Sequence, residues 1–189
     1  MTVSLSEVKM KALELMWKAG RPVKSRELAH QLCLGVPPTN LHLVWLRRKS
    51  YVFSPEKGLY AITEMGKEAL VLPKIDRKQA LQILSSVSKG KAFHFYYDMD
   101  LYSETYATNL KDFCDKIQAV DTKSLEFHLA RKDFELWFLG LGDFELAKKM
   151  SAIKETGLLG EGLRKKVYEV VKSRCQELES LSSELVYVK

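Results

Sequence analysis

The chain has 189 residues, 46% of them hydrophobic and 29% charged, a balance that excludes a disordered polymer and points to ordinary globular folding. It contains no run of about 20 apolar residues, so no membrane-spanning helix is expected, and the N-terminus reads as periodic helix rather than as a leader. The net charge of +6 is unevenly spread: residues 1–72 hold 11 Lys/Arg against 6 Asp/Glu, whereas residues 73–189 hold 19 against 18. A basic excess confined to one part of the chain suggests a polyanion-binding surface there. Cys33, Cys114 and Cys175 are odd in number and include no Cys-x-x-Cys, which suits reduced thiols in a cytoplasmic protein rather than disulfides or a metal site.

In chain order, Ser4 to Ala19 places Val8, Leu13, Leu15, Met16 and Trp17 on a broad helical stripe that Gly20 ends. Ser25 reads as the N-cap of a second helix running to Leu32. After a Leu34-Gly35-Val36 turn, prolines open a third helix, which closes on Arg47, Arg48 and Lys49, cations suited to the negative end of a helix dipole. Two short β-prone runs then flank Pro55-Glu56-Lys57-Gly58, a hairpin signal. On the third helix Thr39, Leu43 and Leu46 recur at buried-seam spacing, which turns Asn40, Leu41, Val44, Trp45 and Arg48 outward.

Helix, strand, basic turn and strand form the second half of a winged helix. Residues 3–70 resemble winged helix-turn-helix regulators ending in "LRRKGYV…Y.IT..G". The resemblance is carried by Trp45-Leu46-Arg47-Arg48-Lys49-Ser50-Tyr51-Val52 and Tyr60-Ala61-Ile62-Thr63. Ser50 stands where that pattern has Gly. Nucleic-acid contacts are expected from Lys24, Arg26, Asn40, His42, Arg47, Arg48, Lys49 and Lys57. Leu41, Val44 and Trp45 either pack under the wing or against the second domain, or form a patch for a partner or dimer.

From residue 73 the charge is nearly neutral and a second, α-rich domain is expected. After a short linker at Val71-Leu72-Pro73-Lys74, Asp76 caps a helix over 77–87 with Ala80, Leu81, Ile83 and Leu84 inward. Ala92 to Tyr97 reads as a strand, Asp98 to Thr105 as a polar loop, and Ala107 to Val120 as a helix burying Leu110, Phe113, Cys114 and Ile117. Ser124 to Trp137 is ambiguous between strand and helix, and Asp121 as a cap tips it to helix. Asp133 and Asp143 look like caps of two more helices. Gly160 to about Leu185 makes a long final helix in which Val167, Val171, Arg174, Leu178, Leu181 and Leu185 form a heptad-like seam. That seam packs on its own domain or pairs with a second copy, and Val171, Leu178 and Leu181 would be the homodimer contacts.

Residues 90–180 resemble an uncharacterised domain family known mostly from archaeal proteins. The matching pieces are Phe93-His94-Phe95, Ser124 to His128, Asp133-Phe134-Glu135-x-Trp137 and Gly142-Asp143-x-Glu145-Leu146-Ala147. Lys132 stands where that family often has Gly. The resemblance implies architecture and no activity. His94, His128 and Asp133 lack metal-type spacing and a neighbouring nucleophile, so no catalytic residue is expected. Asp98, Asp100 and Glu104 lack the glycine of a calcium loop. Phe93, Phe95, Tyr97 and Trp137 read as core or as the lining of a small-molecule pocket.

The sequence therefore predicts a mainly α protein with a small β component, without cofactor, metal or catalysis. The leading expectation is a dimeric winged-helix DNA-binding transcription factor. The alternative is a ribosome-associated factor that meets ribosomal RNA and protein on the small subunit, similar to archaeal ribosome dimerisation factors.

Overall fold

A computed structural model describes residues 5–183 and is mainly α with a small β component and a long C-terminal helix. The chain divides into two compact units, one ending at Lys74 and one starting at Ile75. No helix among the described residues is long and apolar enough to cross a membrane.

The first unit runs α1 (Glu7–Ala19), β1 (Val23–Lys24), α2 (Ser25–Gln31), α3 (Val36–Arg48), β2 (Val52–Phe53), β3 (Leu59–Ile62) and α4 (Glu64–Ala69). Its sheet has the order β1-β3-β2, antiparallel throughout, so β2 and β3 form a hairpin directly after the third helix. Three helices and a hairpin therefore follow one another in the order read from the sequence, with the short strand β1 between the first two helices. Gly20 stops α1 in a left-handed conformation, its N–H donating to the Met16 and Trp17 carbonyls. Pro37 and Pro38 stand in the first turn of α3, where missing N–H groups cost nothing. The expected seam is found: Thr39, Leu43 and Leu46 are buried against Leu13, Met16, Trp17 and Leu28. Ser25 is not the cap of α2. Lys24 takes that place because the strand pairing of Val23 and Lys24 runs directly into the helix.

The "Y.IT..G" pattern has a local cause. The Thr63 hydroxyl donates to the Ser50 carbonyl at 2.6 Å and accepts from the Gly66 N–H at 3.2 Å, capping α4 while tying it to the end of α3. Gly66 is obligatory because a Cβ there would lie 2.3 Å from the Tyr51 carbonyl oxygen. Thus the small α4 helix clamps the sheet to the chain leaving α3.

The second unit comprises α5 (Arg77–Leu84), a single 3₁₀ turn (Lys89–Lys91), β4 (Phe93–Asp98), β5 (Leu101–Ala107), α6 (Leu110–Ala119), α7 (Thr122–Arg131), α8 (Asp133–Leu141), α9 (Phe144–Glu155) and α10 (Gly160–Ser183). Helix α10 runs through it and packs on α5, α6, α7 and α9. Phe93, Phe95, Phe113, Phe134 and Phe138 fill the core beside the β4–β5 hairpin. Several expectations need correction. The stretch read as a polar loop contains β5, which pairs antiparallel with β4. Helix α6 starts only at Leu110, with Asn109 as its cap. Helix α5 ends at Leu84 and leaves Leu81 exposed. Asp133 opens α8 rather than capping it; the cap is Lys132. Asp121 and Asp143 do cap their helices.

Along α10, Val167, Val171, Arg174 and Leu178 are all buried in the unit's own core, and Leu181 is half-buried against it. Leu185 and, at the other end, Ser4 lie outside the described residues. Val171 and Leu178 therefore have no surface to offer a second copy, and the assignment of dimer contacts to them is corrected. Intramolecular packing has used the seam.

Candidate nucleic-acid interface

At about 100° per residue, α3 sorts its side chains around the buried seam. Its outermost ridge is Pro37, Leu41, Val44 and Arg48, with Leu41 73% and Val44 37% exposed. Asn40 and Arg47 lie on one flank, and His42 and Lys49 on the other, so the expected polar readers do not converge on one line. Asn40 and His42 are half-buried, whereas Arg47, Arg48 and Lys49 are exposed at the carboxyl end. Trp45 is not part of an open patch: the Lys9 ammonium lies 4.3 Å from its ring centre and Tyr51 stacks at 6.2 Å. It packs within its own unit, and the outward apolar surface reduces to Pro37, Leu41 and Val44.

A second group of cations forms at the wing. The Ser25 N–H donates to the Gly58 carbonyl at 3.2 Å, and Lys24 sits opposite Leu59 in the β1–β3 pairing. The start of α2 is thereby laid against the hairpin turn, which brings Lys24 and Arg26 beside Lys57, all three exposed. The turn is held by Ser54, whose hydroxyl bonds the Glu56 carbonyl at 2.7 Å and the Leu59 carbonyl at 2.8 Å, while Gly58 supplies the left-handed residue. Arg21, by contrast, is spent on Glu27 at 2.8 Å. These cations can neutralise phosphates. The α3 ridge offers base edges little beyond Arg48, because apolar side chains contact only the thymine methyl group in a major groove.

In the second unit the His94, His128 and Asp133 constellation resolves into structural bonds. The Tyr96 N–H can only donate, and it reaches His128 Nε2 at 2.8 Å. Nδ1 therefore carries the proton and donates to Asp133 Oδ2 at 2.8 Å, an oxygen that also accepts from Arg131 Nε at 3.2 Å. Burial among aromatic rings pushes the His128 pKa below its ordinary value, and Asp133 pulls the other way without overcoming it. With both ring nitrogens committed, His128 has no lone pair for a substrate. His94 is likewise engaged, by the Lys89 carbonyl at 3.0 Å and the Tyr102 hydroxyl at 3.3 Å. Asp98 accepts from the Met99 N–H in the hairpin turn. Among the described residues no group of three or more His, Cys, Asp or Glu could hold a metal ion.

The aromatic pocket expected from Phe93, Phe95, Tyr97 and Trp137 is not formed by those four. Phe95 is fully buried, Tyr97 is exposed, and Trp137 packs on Phe93 and Phe113 while its N–H donates to the Lys91 carbonyl. A different groove of about 430 Å³ opens beside Phe93, lined also by Tyr96, Met99, Phe127 and Arg131.

A model of a family of unknown function, DUF5752, matches residues 67–172, more than half of the chain. The chain belongs to the DUF5752 family. The DUF5752 match begins within α4 and ends inside α10, so it takes in the β4–β5 hairpin, the His128–Asp133 pair and helices α5 to α9. No curated protein and no solved structure matches the chain.

The most buried polar cluster of the second unit was not foreseen. Arg174 Nε and Nη2 donate to the two Asp143 oxygens at 2.8 and 3.0 Å, and Nη1 donates to Glu145 and Glu177. Burial alone would lower the Arg174 pKa, but the hydrogen bonds and charge of Asp143, then of Glu145 and Glu177, hold it above its ordinary value. Arg174 in a core slot of the heptad pattern was the signal. Its partners, about thirty residues upstream, were not readable from spacing.

Proposed function

We propose that the protein is a non-catalytic regulator whose first unit docks on duplex DNA through the wing cations Lys24, Arg26 and Lys57 and the helix-end cations Arg47, Arg48 and Lys49. The observation that carries this reading is the hydrogen-bonded join of the α2 start to the wing turn, which sets the backbone of Lys24 and Arg26 next to that of Lys57, three exposed cations with no ion pair among the described residues. Phosphate contacts of this kind fix position on a duplex, and Arg48 is left as the main candidate for reading a base. Both ring nitrogens of His128 being occupied supports the non-catalytic part. A dimer remains part of the proposal, with its contacts outside the α10 seam.

One observation favours a second reading. The exposed Pro37-Leu41-Val44 ridge suits a protein-containing target better than a major groove, as a ribosome-associated factor on the small subunit would require. Gradient sedimentation of native lysate, with the chain followed by antibody, separates the two. The DNA reading expects the protein near the top of the gradient, released from chromatin by nuclease. Comigration with small ribosomal subunits that survives nuclease-free washing would replace it with the second reading.

A further inference from the structure

The β4–β5 hairpin buries one face in the core and leaves the other partly open, with Tyr102 exposed and His94, Tyr96 and Tyr106 half-buried. Phe93 and Phe95 point into the core, so the alternate residues His94 and Tyr96 face out, and their cross-strand partners are Tyr106 and Tyr102. The outer face thus carries four rings. His94 lies 5.6 Å from Tyr106 and 5.7 Å from Tyr102, and Tyr96 lies 5.1 Å from Tyr102. A solvent-facing sheet surface is ordinarily polar. Cross-strand pairing alone rewards aromatic neighbours, but it does not account for the cations set against them. The Lys89 ammonium lies 5.2 Å from the Tyr106 ring centre, and the Arg131 guanidinium lies 5.1 Å from that of Phe127.

His94 and Tyr96 also line the 430 Å³ groove, together with Phe127, His128 and Arg131 of α7 and Asp133, whose carboxylate pairs with Arg131 at 3.2 Å. Platform and groove are therefore one continuous surface. The groove's volume lies within the range of small-molecule sites, about 300–1,000 Å³. Acidic Asp98, Asp100 and Glu104 stand at the turn end of the hairpin, while Lys89 and Lys91 stand at the opposite end, so a polyanion has one favourable course across the surface.

We propose that this surface of the second unit binds single-stranded nucleic acid. Bases stack on Tyr102, Tyr106 and His94, one base enters the groove against Phe127, and the phosphates pass the Lys89 end. Rings of this kind accept any base face, which makes the site sequence-tolerant. The proposal is independent of the duplex-docking role of the first unit. Aromatic platforms also serve carbohydrates, but the Lys89 ammonium set over the Tyr106 ring, with Lys91 beside it in the chain, favours a polyanion.

The test is fluorescence anisotropy of labelled 12-nucleotide oligo(U) and oligo(dT) with the full chain. The Tyr102→Ala/Tyr106→Ala variant should weaken binding by about tenfold or more, and the Tyr→Phe pair should stay within about twofold, because stacking needs the ring and not the hydroxyl. The Arg48→Ala/Lys57→Ala variant should keep oligonucleotide binding, whereas the tyrosine variants should keep duplex binding. If the Ala pair melts by circular dichroism, Tyr102→Ala alone, at an exposed position, should still weaken binding by about threefold or more. Wild-type affinity in the tyrosine-to-alanine variants would overturn the proposal, as would loss of oligonucleotide binding in the wing variant. Retention on a dextran or mannan column with no oligonucleotide binding would also overturn it, in favour of a carbohydrate.

Discussion

Ser50 and Lys132 both hold a left-handed backbone, with φ of +61° and +66°. They are the two positions where the winged-helix and second-domain patterns carry glycine. A non-glycine residue in that region costs roughly 1 kcal/mol through crowding of Cβ against the backbone. Ser50→Gly and Lys132→Gly should each stabilise the protein by up to about that amount in urea denaturation, and a loss of stability in either would refute the account of these turns. His128 makes a prediction of the opposite kind. Its folded pKa is depressed by burial, so between the usual value of about 6.5 and that lower value the unfolded chain binds a proton that the folded chain does not. Stability should therefore fall as pH drops below about 6.5, by up to about 1.4 kcal/mol per unit, and His128→Gln should flatten that part of the profile. An unchanged acid profile in the variant would assign the loss to other groups.

Helix α10 is held at two levels. Its apolar seam packs on four neighbouring helices, and Arg174 pins it to the start of α9 through Asp143. Asp143 at the same time caps α9, accepting from the Leu146 N–H at 3.0 Å. Arg174→Ala would remove the bidentate cation from the fully buried Asp143, while Glu145 keeps its pairing to Lys149 at 3.2 Å; breaking a buried pair in this way costs about 3–5 kcal/mol. Urea denaturation reads that loss, and a change below about 1 kcal/mol would mean that the acids find water or other partners. Period and caps made α1, α3, α6, α7 and α9 legible, because Gly20, the Thr39-Leu43-Leu46 seam, Asp121 and Asp143 are all local signals. Strand β5 was not legible. Its only fully buried residue is Ala107, and Glu104 takes a left-handed conformation with φ of +58°, a bulge that breaks the period-two alternation. The Tyr96–His128 bond, across 32 positions, had no sequence signature either.

For the molecule as a whole, charge and fold point to the same unit, while the DUF5752 match covers mainly the other. The cations of the first unit were readable from composition, but their grouping was not: it depends on the Ser25–Gly58 hydrogen bond and the β1–β3 register. The apolar ridge of α3 was readable in part, since Leu41 and Val44 were placed outward, whereas Trp45 was drawn in by Lys9 and Tyr51. The central claim, that wing and helix-end cations dock on phosphates, is tested most directly by duplex affinity measured across salt concentration. If a handful of phosphates is neutralised, the log–log slope should be roughly −3 to −5, and Arg48→Ala/Lys57→Ala should flatten it by about 2. An unchanged slope and affinity in that variant would contradict the account.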